Sequence, residues 1–165
     1  MCDSLPTDPA RRGLILGAAA LFAAGGPALA ADRFGASAWR RLTEAQWKRR
    51  LPPLSFAVLR QGFTEQPFTS PLLNEHGKGT FVCLGCGLPL FRSQWKFDSH
   101  TGWPSFWTVI DGAVGRRADF ALVYERTEYH CAQCLGHQGH VFEDGPRPTG
   151  LRYCNDGAAL RFVAA

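Results

Sequence analysis

Phe81-Val82-Cys83-Leu84-Gly85-Cys86-Gly87 and His130-Cys131-Ala132-Gln133-Cys134 each carry a β-type residue into a tight turn with Cys-x-x-Cys spacing. Thiolates bind zinc at about 2.3 Å, and two such knuckles supply the four ligands of a closed tetrahedral site. Thioredoxin-like redox pairs open a helix after a strand within a βαβ pattern, which is absent here. A disulfide framework is disfavoured as well, because Cys-x-x-Cys spacing suits a metal better than a bridge. Four thiolates leave no open position for water, so the expected metal is structural. It would join Cys83, Cys86, Cys131 and Cys134, and the long stretch between the knuckles means that it staples a sheet.

Outward from the knuckles, short turn-bounded runs at 80–82, 88–91, 106–110, 120–125, 128–130 and 160–163 have the lengths and residue types of strands. No long helices alternate with them, so a parallel α/β sheet is excluded. Ahead of them, Thr43-Glu44-Ala45-Gln46 has the form of a capping box and predicts a short helix, stopped near Leu51 by Pro52-Pro53. Residues 54–61 predict a second helix ending at Gly62. Residues 31–41 read as a linker and 42–165 as one domain. The expected fold is mainly β: an antiparallel tent or barrel with small N-terminal helices.

The composition, 45% hydrophobic and 19% charged, is that of a globular chain. Lys and Arg are scattered within a net charge of +4, so no nucleic-acid partner is expected, and a monomer is. Residues 1–30 read as an export signal. Arg11-Arg12 precedes an apolar stretch, and Ala28-Leu29-Ala30 is a small-x-small cleavage site. The paired arginines resemble a twin-arginine signal, which carries folded cargo, so a periplasmic location is expected. The alternative is a tether left by an uncleaved signal. Export of a domain already loaded with metal reconciles the cysteine count with an oxidising compartment.

Cleavage leaves Cys154 as the odd thiol. Arg152 lies two residues before it and shares its strand face, where a cation favours the thiolate. His137 and His140 are three apart and offer acid–base chemistry near neutral pH. Gly102-Trp103-Pro104-Ser105-Phe106-Trp107 reads either as plain core or as a rigid wall for a small apolar group beside the thiol. His76 and His100 read as surface residues.

Together these stretches resemble the B-type methionine sulfoxide reductases, which reduce the R-epimer of methionine sulfoxide. The likeness rests on Gly79 to Cys83 with Cys86-Gly87, Lys96 to Ser99, and Thr101 to Phe106. It continues through Cys131 with Cys134, Gly139 to Pro146, and Pro148 to Cys154. The resemblance implies a β tent or barrel and Cys154 as nucleophile. His137 and His140 would bind or protonate the sulfoxide oxygen, with Asp144 and Arg152 in the polar network around them. Trp103 would meet the substrate methyl, and the four knuckle cysteines would hold the structural zinc.

The chain departs from the family at three places. Thr101 stands where many members carry a resolving cysteine, so an external thiol reductant is expected to reset Cys154. Asp156 stands where Asn is usual and lies close enough to raise the thiol's pKa. His100 replaces the small residue usual before Thr101, from where it would reach toward the pocket mouth. A second reading keeps the fold and drops the chemistry: a non-catalytic binding module with the same zinc tent.

Overall fold

The computed structural model describes residues 32–120 and 124–165; residues 1–31, which include the segment expected to be an export signal, and 121–123 lie outside the described residues. Thr43 closes the expected capping box with Gln46 and starts α1 (Glu44–Arg50). Pro53 occupies the first turn of α2 (Pro53–Gln61), where its missing N–H costs nothing, and Gly62 ends the helix with φ 69°. Residues 31–41, read as a linker, include a 3-10 turn at Ala38–Arg41, and Trp39 stacks on Trp47 of α1.

Among the described residues nine strands follow: β1 (Gly79–Cys83), β2 (Pro89–Arg92), β3 (Lys96–Phe97), β4 (Ser105–Phe106), β5 (Val114–Asp119), β6 (Arg126–Cys131), β7 (His137–Phe142), β8 (Arg152–Asn155) and β9 (Leu160–Ala164). They form a three-stranded sheet in the order β2-β1-β9 and a six-stranded sheet in the order β3-β4-β8-β7-β6-β5. Every pairing is antiparallel. The outer strands β3 and β5 do not pair, so this is an open tent and not a barrel. The sheets meet across a fully buried aromatic layer in which Phe91 stacks on Phe106 at 4.1 Å and Phe81 meets Phe106 edge-on at 5.0 Å. Each such ring contributes about 2–3 kcal/mol relative to exposure.

Three strand expectations need correction. Of the run at 106–110 only Phe106 belongs to a strand; beyond it the Trp107 N–H donates to the Trp95 carbonyl and the two indoles meet edge-on. The run at 120–125 is not a strand where it is described: β5 ends at Asp119 and Phe120 is exposed. β7, which holds the polar cluster together with β8, was not expected as a strand, whereas β8 bears out the strand face expected for Arg152 and Cys154. Both strands are polar yet mostly buried, because each is paired on both edges.

Candidate functional site

Strand pairing assembles the site. Cys154 lies opposite His140 across the β7–β8 pair and opposite Ser105 across the β4–β8 pair. A pocket of about 100 Å³ is lined by Cys154, His140, Trp103, Asp156, Phe142 and Arg126, among others. A larger cleft of about 480 Å³ around Phe68, Lys96 and His100 holds none of the predicted site residues. His100 is on the surface, with its side chain 86% exposed.

β7 brings both histidines to this place through a bulge. Its register with β6 slips between the Tyr129–Gly139 and His130–His137 pairs, so Gln138 is the extra residue. A bulge re-aims side chains, and here it leaves the two imidazole rings 5.4 Å apart. Gly139 permits the approach: its φ is 151°, and a Cβ there would lie 2.0 Å from the Cys154 carbonyl oxygen.

The histidines differ electrically. His140 lines the pocket, and its Nε2 meets Asp119 Oδ2 at 2.7 Å. Burial keeps it below the usual histidine range, with Asp119 only partly offsetting the effect. His137 is buried behind it, with Nδ1 2.8 Å from Glu128 Oε1 and Nε2 3.6 Å from Asp156 Oδ2. Burial disfavours its charge, but the two carboxylates outweigh burial and raise it to about 9. Burial also opposes the Glu128 carboxylate, yet His137 and Arg117 bring it down to about 2. Glu128, Arg117, Asp119 and Arg126 were missed in the sequence. Only a buried acid at a strand's inward position would have signalled Glu128.

This clamp makes stability depend on pH. His137 holds its proton more tightly when folded, so its contribution is complete below the ordinary histidine value of 6.5 and is lost as pH rises through about 9. Glu128 contributes above the ordinary glutamate value of 4.5, and its share is lost as pH falls toward about 2. Glu128→Gln is expected to return the His137 imidazole toward its ordinary titration in an NMR series. A midpoint still near 9 would contradict the clamp.

Cys154 is half-buried. Burial pushes its thiol up, and Arg152 and Thr101 pull it back while Asp156 adds to the rise. The arginine effect expected from sequence is therefore present but weaker than burial. Asp156 is held in place: Oδ1 accepts the Glu65 N–H at 2.8 Å and Oδ2 faces His137. Arg152 donates to both oxygens of Asp144 at 2.8 and 2.7 Å and lies over the Phe142 ring at 4.3 Å. Asp144 itself is exposed. Trp103 Nε1 donates to the Glu65 carbonyl at 3.1 Å, which fixes the indole against the pocket. Thr101 Oγ1 lies 3.9 Å from Cys154 Sγ, at the end of a hydroxyl chain through Ser99 and Ser105.

The knuckles converge away from this pocket. All four Sγ atoms lie within 4.8 Å of one another. Cys83 meets Cys134 at 3.6 Å and Cys86 meets Cys131 at 3.5 Å. Tetrahedral zinc with bonds of about 2.3 Å sets its sulfurs about 3.8 Å apart, so the donor set fits. Contacts with the other thiols and burial keep the Cys83 thiol far above its usual value, a cost that a divalent cation reverses. The four cysteines are thus placed to hold one metal ion, consistent with structural zinc. Arg60 braces the second knuckle from α2 by donating to the Cys134 carbonyl at 2.9 Å.

Residues 51–164 match the SelR domain family. The peptide methionine sulfoxide reductase MsrB of Leptospira interrogans is 49% identical over 121 residues, 73% of this chain and 92% of that protein. Its namesake from Bradyrhizobium diazoefficiens is 51% identical over 120 residues, 72% and 86% of the two chains. That from Methanosarcina barkeri is 46% identical over 121 residues, 73% and 85%. With relatives this similar along nearly their whole lengths, and with a SelR domain over most of its own, the chain belongs to the family of B-type methionine sulfoxide reductases.

Proposed function

We propose that the chain reduces methionine-R-sulfoxide, free or in oxidised proteins, through a sulfenic acid on Cys154. The observation that carries this reading is Cys154 facing His140 in a small pocket walled by Trp103. The Cys154 sulfur attacks the sulfoxide sulfur, and the S–O bond breaks as the oxygen is protonated. The protonated oxygen bonds to the Cys154 sulfur as the bond between the two sulfurs breaks, so methionine leaves as the thioether and Cys154 carries the sulfenic acid. An unprotonated oxygen would leave at high cost, and this gives the histidines their role. His140 binds the oxygen from the pocket wall, and protonated His137 behind it is the proton reserve. Arg152, held by Asp144, favours the thiolate as it forms. Trp103 receives the methyl group, and Asp156 closes the rim while holding His137. Zinc at the knuckles would supply no step of the reaction, only the cross-link between them.

Two external thiols then return Cys154 to the free thiol, releasing water and a disulfide between themselves. Thr101 offers no sulfur for an internal route, and the knuckle cysteines are committed to the metal. Turnover of methionine-R-sulfoxide with dithiothreitol tests the activity; ligand binding without turnover would favour the binding module instead. The resetting route has its own test. Thr101→Cys, placed beside the thiol, is expected to trap a disulfide between the introduced sulfur and Cys154 after one turnover, read as a loss of two hydrogens by mass spectrometry. The native chain should instead stop at the sulfenic acid.

The same reading includes export to the periplasm, supported by Arg11-Arg12 and Ala28-Leu29-Ala30. A mature N-terminus at Ala31 is the outcome to look for. Among the described residues no helix is long and apolar enough to cross a membrane.

A further inference from the structure

Gln138, the bulge residue of β7, has a side chain with no obvious reason to be polar. It is fully buried. Its Nε2 lies 3.4 Å from Cys83 Sγ, while its Oε1 has no partner. A buried, unpaired amide oxygen carries a desolvation cost that a leucine filling the same space would avoid. A compensating contact is needed, and the thiolate of a metal-loaded Cys83 supplies one. Its negative charge makes it a much better acceptor than a thiol, and charge-assisted bonds are roughly twice as strong as neutral ones. The amide orientation follows too, since only the NH₂ side can donate to sulfur.

The main chain of the same residue points to the other site. The Gln138 carbonyl accepts the Asp156 N–H at 2.8 Å, next to the strand that carries Cys154. Gln138 therefore touches a metal ligand through its side chain and the thiol pocket's rim through its backbone. It is also the residue whose insertion aims His137 and His140.

We propose that Gln138 is a positioning residue that ties the metal centre to the catalytic strand. Its amide braces the Cys83 thiolate, and the metal-held sulfur in turn pins the bulge that presents both histidines. Partners of metal ligands commonly act this way, by orienting the ligand and strengthening its bond. The inference rests on the zinc reading of the four cysteines and on Cys154 as the working thiol.

The test uses the zinc-loaded full chain and its Gln138→Leu and Gln138→Met variants, both close in volume and without a donor. Zinc release to a colorimetric chelator is expected to be about 10-fold faster in both variants, the lower end of what loss of such a partner costs. The kcat for the sulfoxide should fall as well, with KM little changed, because the histidines lose their aim. Zinc release within about twofold of the native rate in both variants overturns the brace, whatever the turnover. If the native chain shows no reductase activity while the variants still shed zinc faster, the brace stands and the reductase reading falls. Should neither variant fold, the native protein decides the matter by NMR. The Gln138 side-chain amide should shift when cadmium replaces zinc, and an unmoved resonance overturns the proposal.

Discussion

Cys154→Ser is expected to abolish methionine-R-sulfoxide turnover while leaving the fold intact. The loss should be on the order of 10⁴-fold or more, as for other enzymes whose nucleophile is removed. The reason is chemical and not only geometric. The oxygen atom leaves the substrate by transfer to a sulfur that is oxidised in the process, and a serine hydroxyl has no corresponding oxidation state to reach. His137, His140 and Trp103 would still bind the sulfoxide, so binding should survive where turnover does not. Serine is nearly isosteric with cysteine, and the half-buried position tolerates the change without a cavity. Steady-state kinetics with dithiothreitol, beside a thermal melt of each protein, separate the two effects. Activity within about tenfold of native would mean that the nucleophile lies elsewhere.

Cys131→Ser is expected to act on the fold. Cys131 is fully buried and lies in contact with Cys86 across the two knuckles. A four-thiolate zinc contributes about 10–16 kcal/mol to folding in isolated zinc-binding peptides, and folded domains are typically stable by only about 5–15 kcal/mol. Losing one of four ligands therefore removes a large share of the total. The variant should retain little zinc and melt well over 10 °C below the native chain, a shift corresponding to about 3–4 kcal/mol or more in a domain of this size. Strong chelation of the native protein should move its melt the same way. A variant with one zinc per chain and an unchanged melt would show that the knuckles are not the staple described.

Both expectations lean on residues legible in the sequence, and the reason is local chemistry. Cys-x-x-Cys spacing, the Thr43–Gln46 capping box, the proline pair and Gly62 each act within a few residues, so their meaning survives without the fold. The odd thiol could likewise be isolated by subtraction. The setting of that thiol could not. Glu128, Asp119 and Arg126 matter only because β5, β6 and β7 pair, and Asp156 reaches His137 only once β8 lies beside β7. β7 itself escaped notice, because His137-Gln138-Gly139-His140 lacks both alternation and β-branched residues. Its strand character is imposed by neighbours on both sides. The balance of charges at Cys154 was hidden for the same reason, since burial outweighs Arg152 and burial is a property of the assembled tent.

The order of strands carries a consequence for how the molecule is made. The final stretch of the chain supplies β8, the inner strand that joins β4 to β7, and β9, which completes the other sheet beside β1. Until these residues emerge from the ribosome, the larger sheet is in two halves and the smaller is a bare hairpin, marginal by itself. The four metal-binding cysteines are synthesised before Cys154, so the centre can fill while the reactive thiol is still being translated. The nucleophile follows the knuckles, on the strand that joins the two parts of the larger sheet. A chain made only as far as β7 therefore has neither a joined larger sheet nor its working thiol.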